Sequence, residues 1–167
     1  NAEYIKTSQP SLVAQALVPL LQQTDLKDQV DAVSEEWLAQ LVVLVKERAK
    51  TLVDMVEWVR PYFGQAVEFD EEAAKKFLTP TIAPLLQKLV SRFEVLSTFS
   101  KQTWEDSFKT FVEEEGIKMG QLAQPVRVAL TGRTASPGLF EVMEVLGRDR
   151  TLFRLRQGIE RAKAGHA

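Results

Sequence analysis

The chain has 167 residues, of which 45% are hydrophobic and 26% are charged, with no cysteine and one histidine. That composition is typical of a globular protein with a sizeable core and excludes a disordered chain. The lack of cysteine excludes disulfide scaffolds, thiolate metal sites and cysteine nucleophiles. The single histidine, His166, cannot supply a histidine-based catalytic triad or a multi-histidine metal site by itself.

The charge is distributed unevenly along the chain. Residues 1–117 contain 12 Lys and Arg against 19 Asp and Glu, a net charge of −7, whereas residues 118–167 contain 9 against 4, a net charge of +5. An acidic first part followed by an arginine-rich last third indicates an anionic partner such as nucleic acid. The alternative is a solvated basic face on a terminal helix.

No apolar run approaches the roughly 18 residues that a membrane span needs, and the first residues lack the apolar core of a signal peptide. We therefore expect a cytoplasmic protein without membrane contact. The chain also begins without methionine, which favours a piece of a longer protein.

The first part of the chain has the apolar spacing of helices. Ser11, Ser34 and Thr51 are the predicted N-caps, Pro19 should kink the first helix, and Gly64 stands where the last one should end. The predicted helices span about 11–23, 34–48 and 52–63, and residues 25–33 are a polar connection or a short helical turn.

The second part continues the same pattern. Asp70 should begin a short helix, Pro80 should open the next one, and Thr103 with Asp106 approximates a capping box for a third. Helices are also predicted at 118–131, 137–146 and 150–163, the last two separated by Gly147. No segment alternates with the period of a strand, so the predicted fold is all-α, with nine or ten helices in two packed subdomains at 1–68 and 69–167.

Motifs for catalysis are missing from the sequence. There is no phosphate-binding GxxxxGK[ST] loop and no GxGxxG, and the acidic runs at 70–72 and 113–115 are more typical of solvated helix ends than of acid–base pairs. Trp37, Trp58 and Trp104 lie on or beside apolar stripes, which favours core packing over base stacking. The residues therefore indicate a binding module.

Five segments together resemble one family. Residues 118–132 match the pattern K-x-G-x-x-x-x-P-x-R-x-A-x-T-G of bacterial glutamyl-tRNA synthetases, and residues 136–147 match the S-P-x-L segment that follows it. Three further segments of the family match at the N-x-x-Y-I start (1–5), 44–52 and 69–77, and all five segments occur in the family's order. The resemblance covers about 150 residues, and its strength comes from the order of the segments.

The resemblance implies an all-helical C-terminal anticodon-binding region whose catalytic half is absent. The family's catalytic half contains an HIGH-like motif and a K-[ML]-S-K-type loop, and this chain has neither. We therefore expect a non-catalytic, monomeric piece that binds tRNA(Glu) and needs no metal or cofactor of its own. The parent enzyme would ligate glutamate to its tRNA with ATP and Mg²⁺.

By resemblance, Arg48 faces the third anticodon base, at a position where family members that charge only tRNA(Glu) have an arginine. A cytosine there offers the O2 and N3 acceptors to a guanidinium, whereas the guanine of tRNA(Gln) offers N–H donors that oppose it. The alternative is that Arg48 merely stabilises the C-terminus of a helix through the helix dipole.

Arg127 matches the family arginine that contacts the first anticodon base, and the predicted groove holds the anticodon loop across both subdomains, with Arg48 on the first and Arg127 on the second. The other residues expected around the first base are Gln124, Ser136, Pro137 and Leu139, although core packing is an alternative for Leu139. The candidate phosphate contacts are Lys118, Arg133, Arg148, Arg150, Arg154 and Arg156, each of which could instead be a solvated surface charge.

Two other functions stay open from the sequence. A helical scaffold could bury its apolar stripes against a protein partner without binding RNA, and steep salt dependence of binding would distinguish RNA from such an interface. A small all-α enzyme is the third possibility, although no acid–base or metal cluster supports it.

Overall fold

The computed structural model describes residues 2–165, so Asn1, His166 and Ala167 lie outside the described residues. These residues form ten α-helices and one 3₁₀ turn, without a strand, which confirms the predicted all-α class. The helices are α1 (Ala2–Thr7), α2 (Pro10–Gln22), α3 (Lys27–Ala32), α4 (Glu35–Val45), α5 (Leu52–Val59), α6 (Glu71–Phe77), α7 (Ala83–Glu94), α8 (Lys101–Glu115), α9 (Met119–Thr131) and α10 (Leu139–Ala164), with the 3₁₀ turn at Arg60–Tyr62. None of the described helices has both the length and the apolar character needed to cross a bilayer.

The chain folds as two compact units, Asn1–Gly64 and Gln65–Ala167. In the first unit, α2 packs against α3, α4 and α5. The buried side chains Leu17, Leu21, Leu41, Val45 and Met55 come from α2, α4 and α5 and are fully excluded from solvent. The hydrophobic effect of burying these stripes stabilises helices that would be marginal alone.

Two predicted caps of the first unit are confirmed. The Ser34 hydroxyl accepts the Trp37 N–H at 3.1 Å, and the Thr51 hydroxyl accepts the Asp54 N–H at 2.9 Å. The predicted Ser11 cap is wrong, because Pro10 already lies in the first turn of α2 and Gln9 occupies the N-cap position. Proline suits this first turn since its missing N–H would have no helical acceptor there. Pro19 lies inside α2 without ending the helix.

In the second unit, α10 packs against α7, α8 and α9. Trp104, Phe108, Phe93, Leu86 and Leu155 contribute to a core without solvent exposure. The Trp104 ring meets the Phe93 ring edge-on, with centroids 4.9 Å apart. The core packing predicted for Trp104 is thus confirmed.

Two predicted helix starts in the second unit are wrong. The helix expected to open at Pro80 begins at Ala83, with Pro84 in its first turn. The capping box of α8 pairs Ser100 with Thr103 rather than Thr103 with Asp106. Asp70, in contrast, caps α6 as predicted, since its carboxylate accepts the Ala73 N–H at 3.0 Å.

Gly147 separates two helical halves of α10 at the predicted place. Its φ of 80° and ψ of 174° are not helical, so the helix axis breaks there although helical hydrogen bonding continues on both sides. Arg150 Nε donates to the Leu146 carbonyl oxygen at 3.1 Å, next to the break.

One face of α10 holds the segment 65–68, which the predicted boundary assigned to the first subdomain. The side-chain amide of Gln157 donates to the Val67 carbonyl at 2.8 Å and accepts the Val67 N–H at 2.9 Å, as a neighbouring strand would. Asp70 N–H donates to the carbonyl oxygen of Gly132 at 2.9 Å. These contacts attach the start of the second unit to α9 and α10.

Candidate nucleic-acid interface

Arg48 lies on a short turn between α4 and α5 whose backbone is held at both ends. Its own N–H donates to the Val45 carbonyl at 2.9 Å, and the neighbouring Ala49 is buried. On the other side, the Asp54 carboxylate accepts the Lys50 N–H at 2.9 Å while Thr51 caps α5. The turn therefore presents Arg48 from a fixed backbone, although α4 itself ends at Val45, before the predicted limit near residue 48.

The Arg48 side chain is exposed and rests on an aromatic ring. Its guanidinium carbon lies 5.7 Å from the centroid of the Trp58 ring, within the range of a cation–π contact. Among residues 2–165, no hydrogen bond or ion pair engages the Arg48 guanidinium. Its N–H donors are therefore available to a ligand.

Arg127 lies on α9 and is half-buried, with its guanidinium held from two sides. Its Nε donates to the Ser136 hydroxyl at 2.8 Å, and its Nη1 donates to the side-chain oxygen of Gln124. Ser136 in turn donates to the Pro137 carbonyl at 2.8 Å. Four of the predicted first-base residues thus form a connected group that orients one guanidinium.

Leu139 lies beside this group at the start of α10, but its side chain is only 6% exposed. Ser136 and Pro137 are buried as well. The side chains of these three residues therefore expose little surface to a ligand, and for Leu139 burial favours the core-packing alternative.

The predicted phosphate contacts differ in accessibility. Lys118 is exposed at the N-terminus of α9 and Arg133 is half-buried after its C-terminus. The Arg148 guanidinium carbon lies 5.3 Å from the centroid of the Phe99 ring, its Nη1 lies 3.3 Å from the Asp149 carboxylate, and its side chain is 40% exposed. Arg156 likewise pairs with a carboxylate, that of Glu94 at 3.1 Å, and in both pairs the carboxylate partly offsets the attraction of the guanidinium for an anion. Burial lowers the pKa of the Arg150 guanidinium, which lies beside the Gly147 break.

Arg154 is the clear error among the predicted phosphate contacts. It has no solvent exposure, and its guanidinium donates to the backbone carbonyls of Leu130 at 2.7 Å and Gln65 at 3.3 Å. The carbonyls at the end of α9 lack helical partners, so a buried cation there satisfies them and complements the helix dipole. Arg154 therefore stabilises the second unit and cannot reach a phosphate.

The sequence did not predict the contact between Trp58 and Arg48, because Trp58 was expected in the core. Trp37 and Trp58 are both half-buried rather than core residues. Trp37 packs edge-on against Phe63 with ring centroids 5.4 Å apart, whereas the Trp58 ring contacts the guanidinium of Arg48. Residues 48 and 58 meet only because α4, the turn and α5 fold together. An aromatic residue on the helix that follows a basic turn could have suggested this cation–π contact from the sequence.

The described part of the chain contains no cluster of three or more His, Asp or Glu side chains that could hold a metal ion. Each of the two arginines supplies hydrogen-bond donors and positive charge. The guanidinium of Arg48 is held by an aromatic ring and that of Arg127 by polar side chains. Such groups suit recognition of unstacked bases and phosphates rather than bond cleavage.

A family model described as "Anticodon binding domain" matches residues 12–159. The chain belongs to this anticodon-binding-domain family. The resemblance seen in the sequence is thereby confirmed, and relatives extend it over nearly every residue of this anticodon-binding domain.

The glutamate–tRNA ligase of Geotalea uraniireducens is 41% identical over 165 residues, which are 99% of this chain and 34% of the relative. That of Geobacter sulfurreducens is 43% identical over 159 residues, 95% of this chain and 33% of the relative. A solved glutamate–tRNA ligase from Elizabethkingia meningosepticum superposes with a TM-score of 0.83 at 28% identity, covering 96% of this chain and 31% of that one. This anticodon-binding domain thus spans about a third of the length of these ligases.

Proposed function

We propose that this chain recognises the anticodon loop of tRNA(Glu) and serves as the anticodon-binding part of a glutamate–tRNA ligase. The observation that carries the proposal is the family match over residues 12–159, together with ligase relatives that align over 95% or more of the chain. The exposed guanidinium of Arg48, which rests on the Trp58 ring with its N–H donors available, supplies the chemistry of recognition.

Arg48 reads the third anticodon base in this proposal. A guanidinium has five N–H donors and no acceptor, so it bonds the O2 and N3 acceptors of cytosine, whereas guanine presents its N1–H and N2–H₂ donors at the corresponding positions. The fixed turn around Arg48 limits how far its backbone can move to accommodate the wrong base. We expect tRNA(Gln) to bind more weakly, because its guanine would leave N–H donors of the Arg48 guanidinium removed from water and without an acceptor.

Arg127 contacts the first anticodon base, with its guanidinium oriented by Gln124 and Ser136. Two anchors restrict the rotation of the side chain, which lowers the entropic cost of binding. Lys118 and Arg148 contribute phosphate contacts that position the RNA without reading its sequence. That both arginines bind one anticodon loop remains a prediction.

The whole ligase, in this proposal, works in the cytoplasm and joins glutamate to tRNA(Glu) with ATP and Mg²⁺ in regions outside this chain. The chain itself binds RNA as a monomer and contributes specificity. Its role is therefore to select the tRNA, while the chemistry of aminoacylation takes place elsewhere in the ligase.

Titration of the chain with anticodon stem-loops tests the proposal. Four stem-loops that differ only in the third anticodon base should give the tightest binding for cytosine, and the affinity should fall steeply with salt through counterion release. Arg48→Gln should remove the preference at the third base, and Arg127→Gln should weaken the preference at the first base in a second set of stem-loops that differ only there. Binding that is independent of salt and anticodon sequence would refute RNA recognition.

A further inference from the structure

Arg48 would bind a base more tightly if its long side chain were held in position without using up its donors. A free arginine has several rotatable bonds, and ordering them on binding reduces affinity. The fixed turn determines where the Cα of Arg48 lies but leaves the side chain free to rotate. Preorganisation of the guanidinium therefore depends on a further group that contacts it.

The carboxylates near Arg48 in the sequence have other partners. Glu47 lies 4.0 Å from Lys6, Asp54 accepts the Lys50 N–H, and Glu57 lies 3.5 Å from Arg60. None of them is paired with Arg48 in the part of the chain that the structure describes. An ion pair would have oriented the guanidinium at the expense of its hydrogen-bond donors.

The face of the Trp58 ring lies under Arg48 instead, with 5.7 Å between the ring centroid and the guanidinium carbon. Trp58 is half-buried on α5, so its ring is anchored in the first unit while part of it remains open to the arginine. An aromatic face attracts a cation and contains no lone pair, so the contact leaves the N–H donors available.

We propose that Trp58 is a positioning residue for anticodon discrimination, which orients the Arg48 guanidinium toward the third base before RNA binds. This inference rests on the proposed function of the chain. Because the indole never touches the RNA in this arrangement, its contribution is to preorganise Arg48 and so to increase the difference in affinity between cytosine and guanine at the third base.

The test compares the ratio of Kd values for stem-loops with guanine and cytosine at the third anticodon position. Trp58→Leu should reduce this ratio by roughly two- to fivefold, the range that an exposed cation–π contact supports. Trp58→Phe, which keeps a weaker aromatic face, should restore most of the ratio. Trp37→Leu is the matched control, because Trp37 is also half-buried in the first unit but packs on Phe63.

Arg48→Gln separates failure of this inference from failure of the proposed function. If Arg48→Gln removes the preference and Trp58→Leu leaves it at the wild-type value, Arg48 reads the base and Trp58 does not position it. If Arg48→Gln itself leaves the preference intact, the proposed role of Arg48 fails, and the inference about Trp58 fails with it. Equal losses in Trp37→Leu and Trp58→Leu would indicate general destabilisation and overturn the positioning role.

A measurement on the unaltered chain keeps the inference testable if Trp58→Leu does not fold. Protons of the Arg48 side chain above the indole should show upfield NMR shifts from the ring current, in the free chain and in the cytosine complex alike. Random-coil shifts for these protons in the free chain would overturn the preorganisation of Arg48 by Trp58.

Discussion

Gly132 gives a sharp test of how α9 is joined to the rest of the second unit. It follows α9 with a φ of 77°, in the left-handed region that side chains disfavour. A Cβ at this position would overlap the carbonyl oxygen of Glu68 and lie 3.0 Å from the Glu68 carbonyl carbon and 3.1 Å from Val67 Cγ1. Because most of this is backbone, Gly132→Ala must displace the segment 67–68.

The magnitude follows from three contributions. The positive φ costs about 1–2 kcal/mol for a residue with a side chain. Displacement of the segment also breaks the bond from the Asp70 N–H to the Gly132 carbonyl, now 2.9 Å long, which costs about 1 kcal/mol. Overpacking adds about 1–3 kcal/mol. We expect Gly132→Ala to lower the free energy of unfolding of the second unit by about 3–6 kcal/mol.

Gly116→Ala is the matched control for this prediction. Gly116 ends α8 with a φ of 65°, and a Cβ added there would meet no atom within 4 Å. Gly116→Ala should therefore lower the free energy of unfolding by only about 1–2 kcal/mol, the cost of the positive φ. Urea unfolding followed by the fluorescence of Trp104, with Trp37 and Trp58 replaced by Phe, reports on the second unit. Losses within about 1 kcal/mol of each other would refute the steric reasoning.

Three further predictions concern charge. Arg48→Gln should reduce discrimination against guanine at the third anticodon base by about 1–3 kcal/mol in stem-loop titrations. Lys118→Ala should weaken binding of all stem-loops alike and reduce the slope of log Kd against log salt by about 1, measured between about 50 and about 200 mM salt. Arg154→Met should destabilise the second unit by about 2–4 kcal/mol in urea unfolding, because the carbonyls of Leu130 and Gln65 lose their buried donor.

The contradicting outcomes differ among the three. If Arg48→Gln leaves the discrimination against guanine at the third base unchanged, Arg48 does not recognise that base. A sequence-selective loss in Lys118→Ala would mean that this lysine contacts a base rather than a phosphate. A destabilisation by Arg154→Met no greater than that of Arg156→Met, an arginine on the same helix whose side chain is 52% exposed, would contradict the buried capping role.

The sequence alone determined the features that depend on neighbouring residues. Ser34, Thr51 and Asp70 cap helices where they were expected, because an N-cap bonds to an N–H two or three residues away. Gly147 interrupts α10 for a similarly local reason, since its own backbone angles leave the helical region. The family pattern needs no coordinates either, because it depends on residue types and their order.

Only the tertiary structure decided which basic side chains are available. Arg154 and Arg156 are two residues apart on α10, yet packing against α9 buries the first and leaves the second exposed. Arg48 and Trp58 meet because a turn folds α5 back beside the end of α4. Exposure and ring stacking depend on residues that are distant in the chain, so neither composition nor helical spacing determines them.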